Sequence, residues 1–185
     1  EMSDKEYEKF LAASPFNKMY PKDVGPAAAE YFGQWNKLFT SGPIASKEAR
    51  LVAVSASAAI RCEYCITAQV HLAKKAGATE DEIKTAIQIA AEVARFSILL
   101  YGNEFGQDNL KAVLKKMTQK PAEAQKPAEQ QAEKPAKKSP FYKMYPAQLA
   151  PAAEAYFGQW NKVLFKEGPI ETKAARLAAI SASAA

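Results

Sequence analysis

The sequence predicts an all-α protein. Alanine dominates an apolar content of 48%, and only eight glycines occur in 185 residues. Capping patterns stand where the helical runs begin, and apolar residues recur at spacings of three and four. No segment shows the alternation of a half-buried strand.

In chain order, Ser3 and Glu6 make a capping box that opens a short helix to about Leu11. A second helix is expected from roughly Val24 to Phe39, where Tyr31, Trp35 and Leu38 form an apolar stripe, and Gly42-Pro43 ends it. Gly33 inside it costs about 1 kcal/mol relative to Ala, a cost that close helix contact would explain. A third helix runs from near Ser46 to about Ile60, and its Ala and Ser side chains would let a neighbouring helix approach closely. A helix carrying both cysteines follows to about Ala76, with Gly77 suited to its C-terminal cap. Thr79 and Glu82 make another capping box and open a long helix through Ile87, Ala91, Ala94, Ile98 and Tyr101. The last predicted helix lies near Asn109–Met117.

An internal repeat organises the chain. Ser14-Pro15-Phe16 returns as Ser139-Pro140-Phe141, and Tyr31-Phe32-Gly33-Gln34-Trp35 as Tyr156-Phe157-Gly158-Gln159-Trp160, at an offset of 125. After one inserted residue near Val163 the offset becomes 126, and Ser55-Ala56-Ser57 returns as Ser181-Ala182-Ser183. This pattern reads as a complete unit over residues 1–118, a linker over 119–138, and the front part of a second copy over 139–185. The linker is built of Pro, Ala, Glu, Gln and Lys and has no large apolar side chain to repay ordering, so extended coil is expected. The front part of the second copy lacks a long helix to cover its apolar face, so it is expected to pack against a full unit.

The net charge is +5, and the basic residues are scattered among glutamates. That pattern fits a solvated surface and not a nucleic-acid interface. No apolar run reaches the roughly 20 residues of a membrane span, and the polar N-terminus shows no signal-peptide pattern. Cytoplasmic location with no membrane partner is the expectation.

Specific chemistry concentrates in Arg61-Cys62-Glu63-Tyr64-Cys65, followed by Gln69 and His71; this stretch holds both cysteines and the single histidine. On a continuous helix, Cys62, Cys65, Ile66, Gln69 and Leu72 share one face, and His71 lies on the opposite side from Cys62. The C-x-x-C pair admits redox chemistry, metal binding or inert burial. Zinc usually takes four ligands, more than these residues offer. A thioredoxin-type site would need a preceding strand, which the sequence does not supply. Nothing in the chain calls for a cofactor.

The Cys-Glu-Tyr-Cys motif, the Ala-rich helix before it and Lys74-Lys75-Ala76-Gly77-Ala78 after it resemble the carboxymuconolactone decarboxylase family. Its alkylhydroperoxidase D-like branch is the nearer likeness, over roughly Phe32 to Leu114. The resemblance implies an all-α unit, here followed by the front half of a second such unit, and assembly into homo-trimers or hexamers. It implies reduction of a hydroperoxide or a disulfide, with reducing equivalents from a dithiol protein. It assigns attack to Cys65 and resolution to Cys62. Redox members of that branch carry a Glu twelve residues before the first Cys and a His four after the second. Those places are held here by Arg50 and Gln69, so Arg50 is expected to favour thiolate and Gln69 to position it. The first alternative is a non-enzymatic scaffold or interaction protein that has lost the proton relay. The decarboxylase branch lacks the cysteine pair, so lyase activity is the second alternative.

Overall fold

A computed structural model of the chain describes residues 2–118, 141 and 144–185. Among them are eight α-helices and no strand: α1 Asp4–Ala13, α2 Gly25–Thr40, α3 Ser46–Ala59, α4 Glu63–Lys75, α5 Glu80–Gly102, α6 Gln107–Thr118, α7 Ala150–Phe165 and α8 Thr172–Ala184. A 3-10 turn, Pro15–Met19, links α1 to α2. The all-α expectation holds. The linker expected over 119–138 lies outside the described residues. Among the described residues no helix is long and apolar enough to cross a membrane.

Both capping boxes form. The Ser3 amide donates to the Glu6 carboxylate at 2.9 Å, and the Thr79 amide donates to Glu82 at 2.7 Å. Each satisfies helix-end donors, an effect worth about 1 kcal/mol per cap. Gly77, at φ +92°, closes α4 as expected. Its N–H donates to the Lys74 carbonyl, and the Ala78 N–H donates to that of Ala73, which consumes two orphan carbonyls.

α3 is the central helix and packs against α2, α4, α5 and α8. The core joins Leu51 and Val54 of α3 to Ile83, Ala86 and Ile89 of α5, with Phe165, Ala175 and Ala178 from the C-terminal segment. The small residues expected to permit close approach do so between α3 and α8. The Ser55 hydroxyl donates to the Ala178 carbonyl, and the Ser181 hydroxyl to the Val52 carbonyl, both at 3.0 Å. The offset of 126 converts one bond into the other. The two repeated helices therefore cross about a local dyad.

Three sequence readings need correction. On α2 the ring-to-ring stripe is Phe32–Trp35–Phe39, with centroids 5.3 and 4.9 Å apart; Tyr31 and Leu38 are exposed. Phe39 buries because α3 lies there. The named stripe on α5 faces outward, while Ile83, Ala86, Ile89 and Ala90 are buried against α3 and α8. Gly33 and Gly158 do not serve close contact, since a Cβ at either would meet nothing within 4 Å.

Candidate functional site

The cysteine turn begins where α3 ends. Ile60 is the C-cap, and Arg61 enters the left-handed region at φ 54°. The Arg61 N–H donates to the Ala58 carbonyl and the Cys62 N–H to the Ser57 carbonyl, both at 3.1 Å. This is the same closure as at Gly77, made with a side chain that the left-handed region disfavours by about 1–2 kcal/mol. The chain thus breaks before Cys62 and does not continue as one helix.

Cys62 is extended and is the N-cap of α4, so it stands before the helix and not on the predicted common face. Its sulfur accepts the Cys65 backbone N–H at 3.2 Å. Cys62 and Cys65 are joined as a disulfide, with Cα atoms 5.2 Å apart. Both are half-buried, among exposed Arg61, Glu63 and Tyr64. Free amides and the positive end of the macrodipole at a helix N-terminus favour thiolate over thiol.

Gln69 follows Cys65 by one helical turn. Its Oε1 accepts a 3.1 Å hydrogen bond from Nη1 of Arg50, which brings two predicted site residues together across the α3–α4 seam. The Arg50 guanidinium lies 3.8 Å from the centroid of the Phe39 ring, and Arg50 is only 8% exposed. Burial lowers its pKa, yet a guanidinium remains charged wherever thiols titrate. Among the described residues no carboxylate forms an ion pair with it. His71 is exposed on α4, and no cluster of three or more His, Cys, Asp or Glu side chains suited to a metal occurs among the described residues.

A second polar contact fixes the same layer. Lys47 Nζ donates to Glu82 at 2.8 Å and ties the start of α3 to the start of α5. Burial pushes the Glu82 carboxyl up, but the Lys47 bond and the Thr79 amide outweigh it and hold the group below the ordinary carboxylate range. The same hydrogen bond raises Lys47.

Sequence reasoning included Arg61 in the motif but missed its left-handed backbone, and it missed Ser57 and Phe39. A non-glycine residue in the left-handed region leaves no residue-type signal. Phe39 was detectable, because Arg50 and Phe39 return together as Arg176 and Phe165 at one offset.

Residues 26–106 match the model of the carboxymuconolactone decarboxylase family. This range begins and ends somewhat before the likeness read from the motifs. "Uncharacterized protein 4 in cox locus" of Paracoccus denitrificans is 30% identical over 67 residues, 36% of this chain and 60% of that protein. The chain therefore spans less than two thirds of that relative's length. No solved structure matches. Residues 26–106, which hold the helices that build the cysteine turn, are thus similar to the carboxymuconolactone decarboxylase family.

Proposed function

We propose that Cys62 and Cys65 cycle between dithiol and disulfide to reduce a hydroperoxide or a disulfide. The observation that carries this reading is the pair itself: the chain's two cysteines are bonded at the N-terminus of α4, beside an exposed surface. In the reductive direction, a thiolate of a dithiol protein attacks the Cys65 sulfur. The disulfide breaks and Cys62 leaves as thiolate, which the Cys65 amide stabilises. The partner's second thiol then displaces Cys65, so the partner leaves oxidised and both cysteines are reduced. In the oxidative direction, the Cys65 thiolate attacks one peroxide oxygen, forming a sulfenic acid and releasing the alcohol. Cys62 attacks that sulfur, water leaves, and the disulfide is restored.

Arg50 and Gln69 are positioning residues in this reading. With its Oε1 held by Arg50, Gln69 has its amide NH2 left to donate one turn beyond Cys65. The fixed positive charge of Arg50 favours thiolate. Residues 1–118 then act as the redox unit, with 139–185 as the front part of a second copy joined through 119–138. A cytoplasmic setting, where dithiol reductants are maintained, suits this chemistry. So does assembly into trimers or hexamers, by likeness to the alkylhydroperoxidase D-like branch.

The test is peroxide and small-disulfide consumption, driven by an external dithiol reductant. Cys65→Ser and Cys62→Ser should each lose at least about a hundredfold in rate. Rates equal to the unaltered chain would sink the reading. Retained decarboxylation in a double serine variant would select the lyase reading that the family's description suggests.

A further inference from the structure

One long helix in this molecule is gripped by four aromatic residues, and the same four residue types occur again with no such helix against them among the described residues. Phe96 of α5 sits with its ring centroid 5.1 Å from that of Phe141 and 6.0 Å from that of Phe157. Nη1 of the neighbouring Arg95 donates to the Tyr145 hydroxyl at 2.7 Å. The Tyr156 hydroxyl donates to the Glu92 carboxylate and accepts from Gln88 Nε2 at 3.2 Å. Phe141, Tyr145, Tyr156 and Phe157 thus read Gln88, Glu92, Arg95 and Phe96, one and two turns along a single helix face.

At the offset of 125, these four become Phe16, Tyr20, Tyr31 and Phe32, without a change of residue type. Phe141 and Tyr156 are 8% and 43% exposed, whereas their counterparts Phe16 and Tyr31 are 58% and 72% exposed. Phe16, Tyr20 and Phe32 line a groove of about 390 Å³ between the 3-10 turn and α2, floored by Ala28 and Ala29.

A separate surface points to the same occupant. Arg176, Ala179, Ile180 and Ser183 line a groove on α8 of about 520 Å³. Their equivalents on α3 are Arg50, Ala53, Val54 and Ser57, and α4 packs on that helix with Gln69 bonded to Arg50. Val54 is fully buried, while Ile180 is 64% exposed. α4 runs directly into α5 through Ala76–Thr79, and the dyad between α3 and α8 relates both open faces to the faces this hairpin covers.

We infer that the face formed by Pro15–Met19 and α2 is a receptor for a second helix of the α5 kind, one that carries Gln, Glu, Arg and Phe at the spacing of Gln88, Glu92, Arg95 and Phe96. Recognition is helix-in-groove. The Phe packs on the edge of the Phe16–Phe32 pair, whose ring centroids lie 6.5 Å apart and part to admit it, the Arg meets the Tyr20 hydroxyl, and the carboxylate takes the Tyr31 hydroxyl. The inference does not depend on the redox reading.

The probe is a fluorescent peptide of residues 80–102 held helical by hydrocarbon staples replacing Ile87/Ala91 and Ala94/Ile98, which lie on the exposed face of α5. Titration with the full chain, read by fluorescence anisotropy, should show one saturable site. Phe32→Glu should weaken it by at least about tenfold. Tyr31→Phe, which removes one hydroxyl from an exposed side chain, should weaken it by about threefold. Tyr156→Phe should leave it within about twofold, because α5 already fills that seat. A Phe96→Glu peptide should bind no better than a scrambled one. Absence of saturation, indifference to Phe32→Glu and Tyr31→Phe, or equal loss with Tyr156→Phe would each overturn the assignment. The last result would mean that the peptide exchanges into the seat of α5.

Discussion

Arg50 and Arg176 hold equivalent places in the two repeated segments, and each guanidinium lies 3.8 Å from the centroid of a phenylalanine ring. The Trp35–Phe39 edge contact at 4.9 Å returns as Trp160–Phe165 at 5.0 Å. Local sequence therefore reproduces local geometry almost unchanged. The surroundings are opposite. Arg50 is buried under α4 and bonded to Gln69, while Arg176 is exposed. Phe16 and Phe32 are open, while Phe141 is covered by α5. A helix's own residues set its contacts within the segment; the helix packed on top decides whether those residues make a site, a seam or a surface.

Replacing each arginine by methionine breaks this comparison most directly. Arg50→Met leaves the Gln69 oxygen without its donor at a covered seam, and should cost about 1–3 kcal/mol. Arg176→Met should stay within about 0.5 kcal/mol, as for other exposed positions. Urea denaturation of the two variants measures both, and equal losses would show that α4 does not distinguish the two sites.

The paired glycines sharpen the comparison in the other direction. Gly33 and Gly158 have open space where a Cβ would lie, so Gly→Ala at either should stabilise by about 1 kcal/mol through helix propensity alone. Thermal midpoints should rise similarly for both. A fall at Gly33 would mean that a neighbour absent from this structure occupies that space.

The smallest effect concerns pH. Glu82 is held below the ordinary carboxylate range, so the stability it adds is complete above that range. It is lost as pH falls through the lower folded value. Glu82→Gln should therefore flatten part of the acid limb of a denaturation series. Lys173, which stands where Lys47 does in the repeat and is exposed, should leave that limb unchanged when replaced by Gln.

Much of the fold was legible because its signals are local. Capping boxes at Ser3 and Thr79, the closing Gly77 and the small residues of α3 each act through neighbours a few residues away or through side-chain size. The cysteine pair was legible from its spacing, whereas Arg50 and the role of Gln69 were reached only through the family likeness. What failed was direction. Periodicity finds an apolar stripe on α5 but not which of two stripes α3 and α8 will cover. The break at Arg61 was hidden as well, since tertiary packing of α3 and the Ser57 carbonyl hold a residue type there that has no preference for that conformation. Cys62 consequently changed from a residue on a helix face to the cap of the helix.

The serine pair at the α3–α8 crossing has a mechanical meaning. A slide of one helical turn, about 5.4 Å, would unmake the Ser55 and Ser181 bonds together and strand a hydroxyl on each helix. Axial play between the two helices is thereby removed. α3 becomes a common rail: α5 is pinned to it at Lys47, α4 at Arg50, α8 at Ser55, and the cysteine turn hangs from its end at Ser57. The C-terminal segment and the backbone that carries the two sulfurs are thus held in register against one helix.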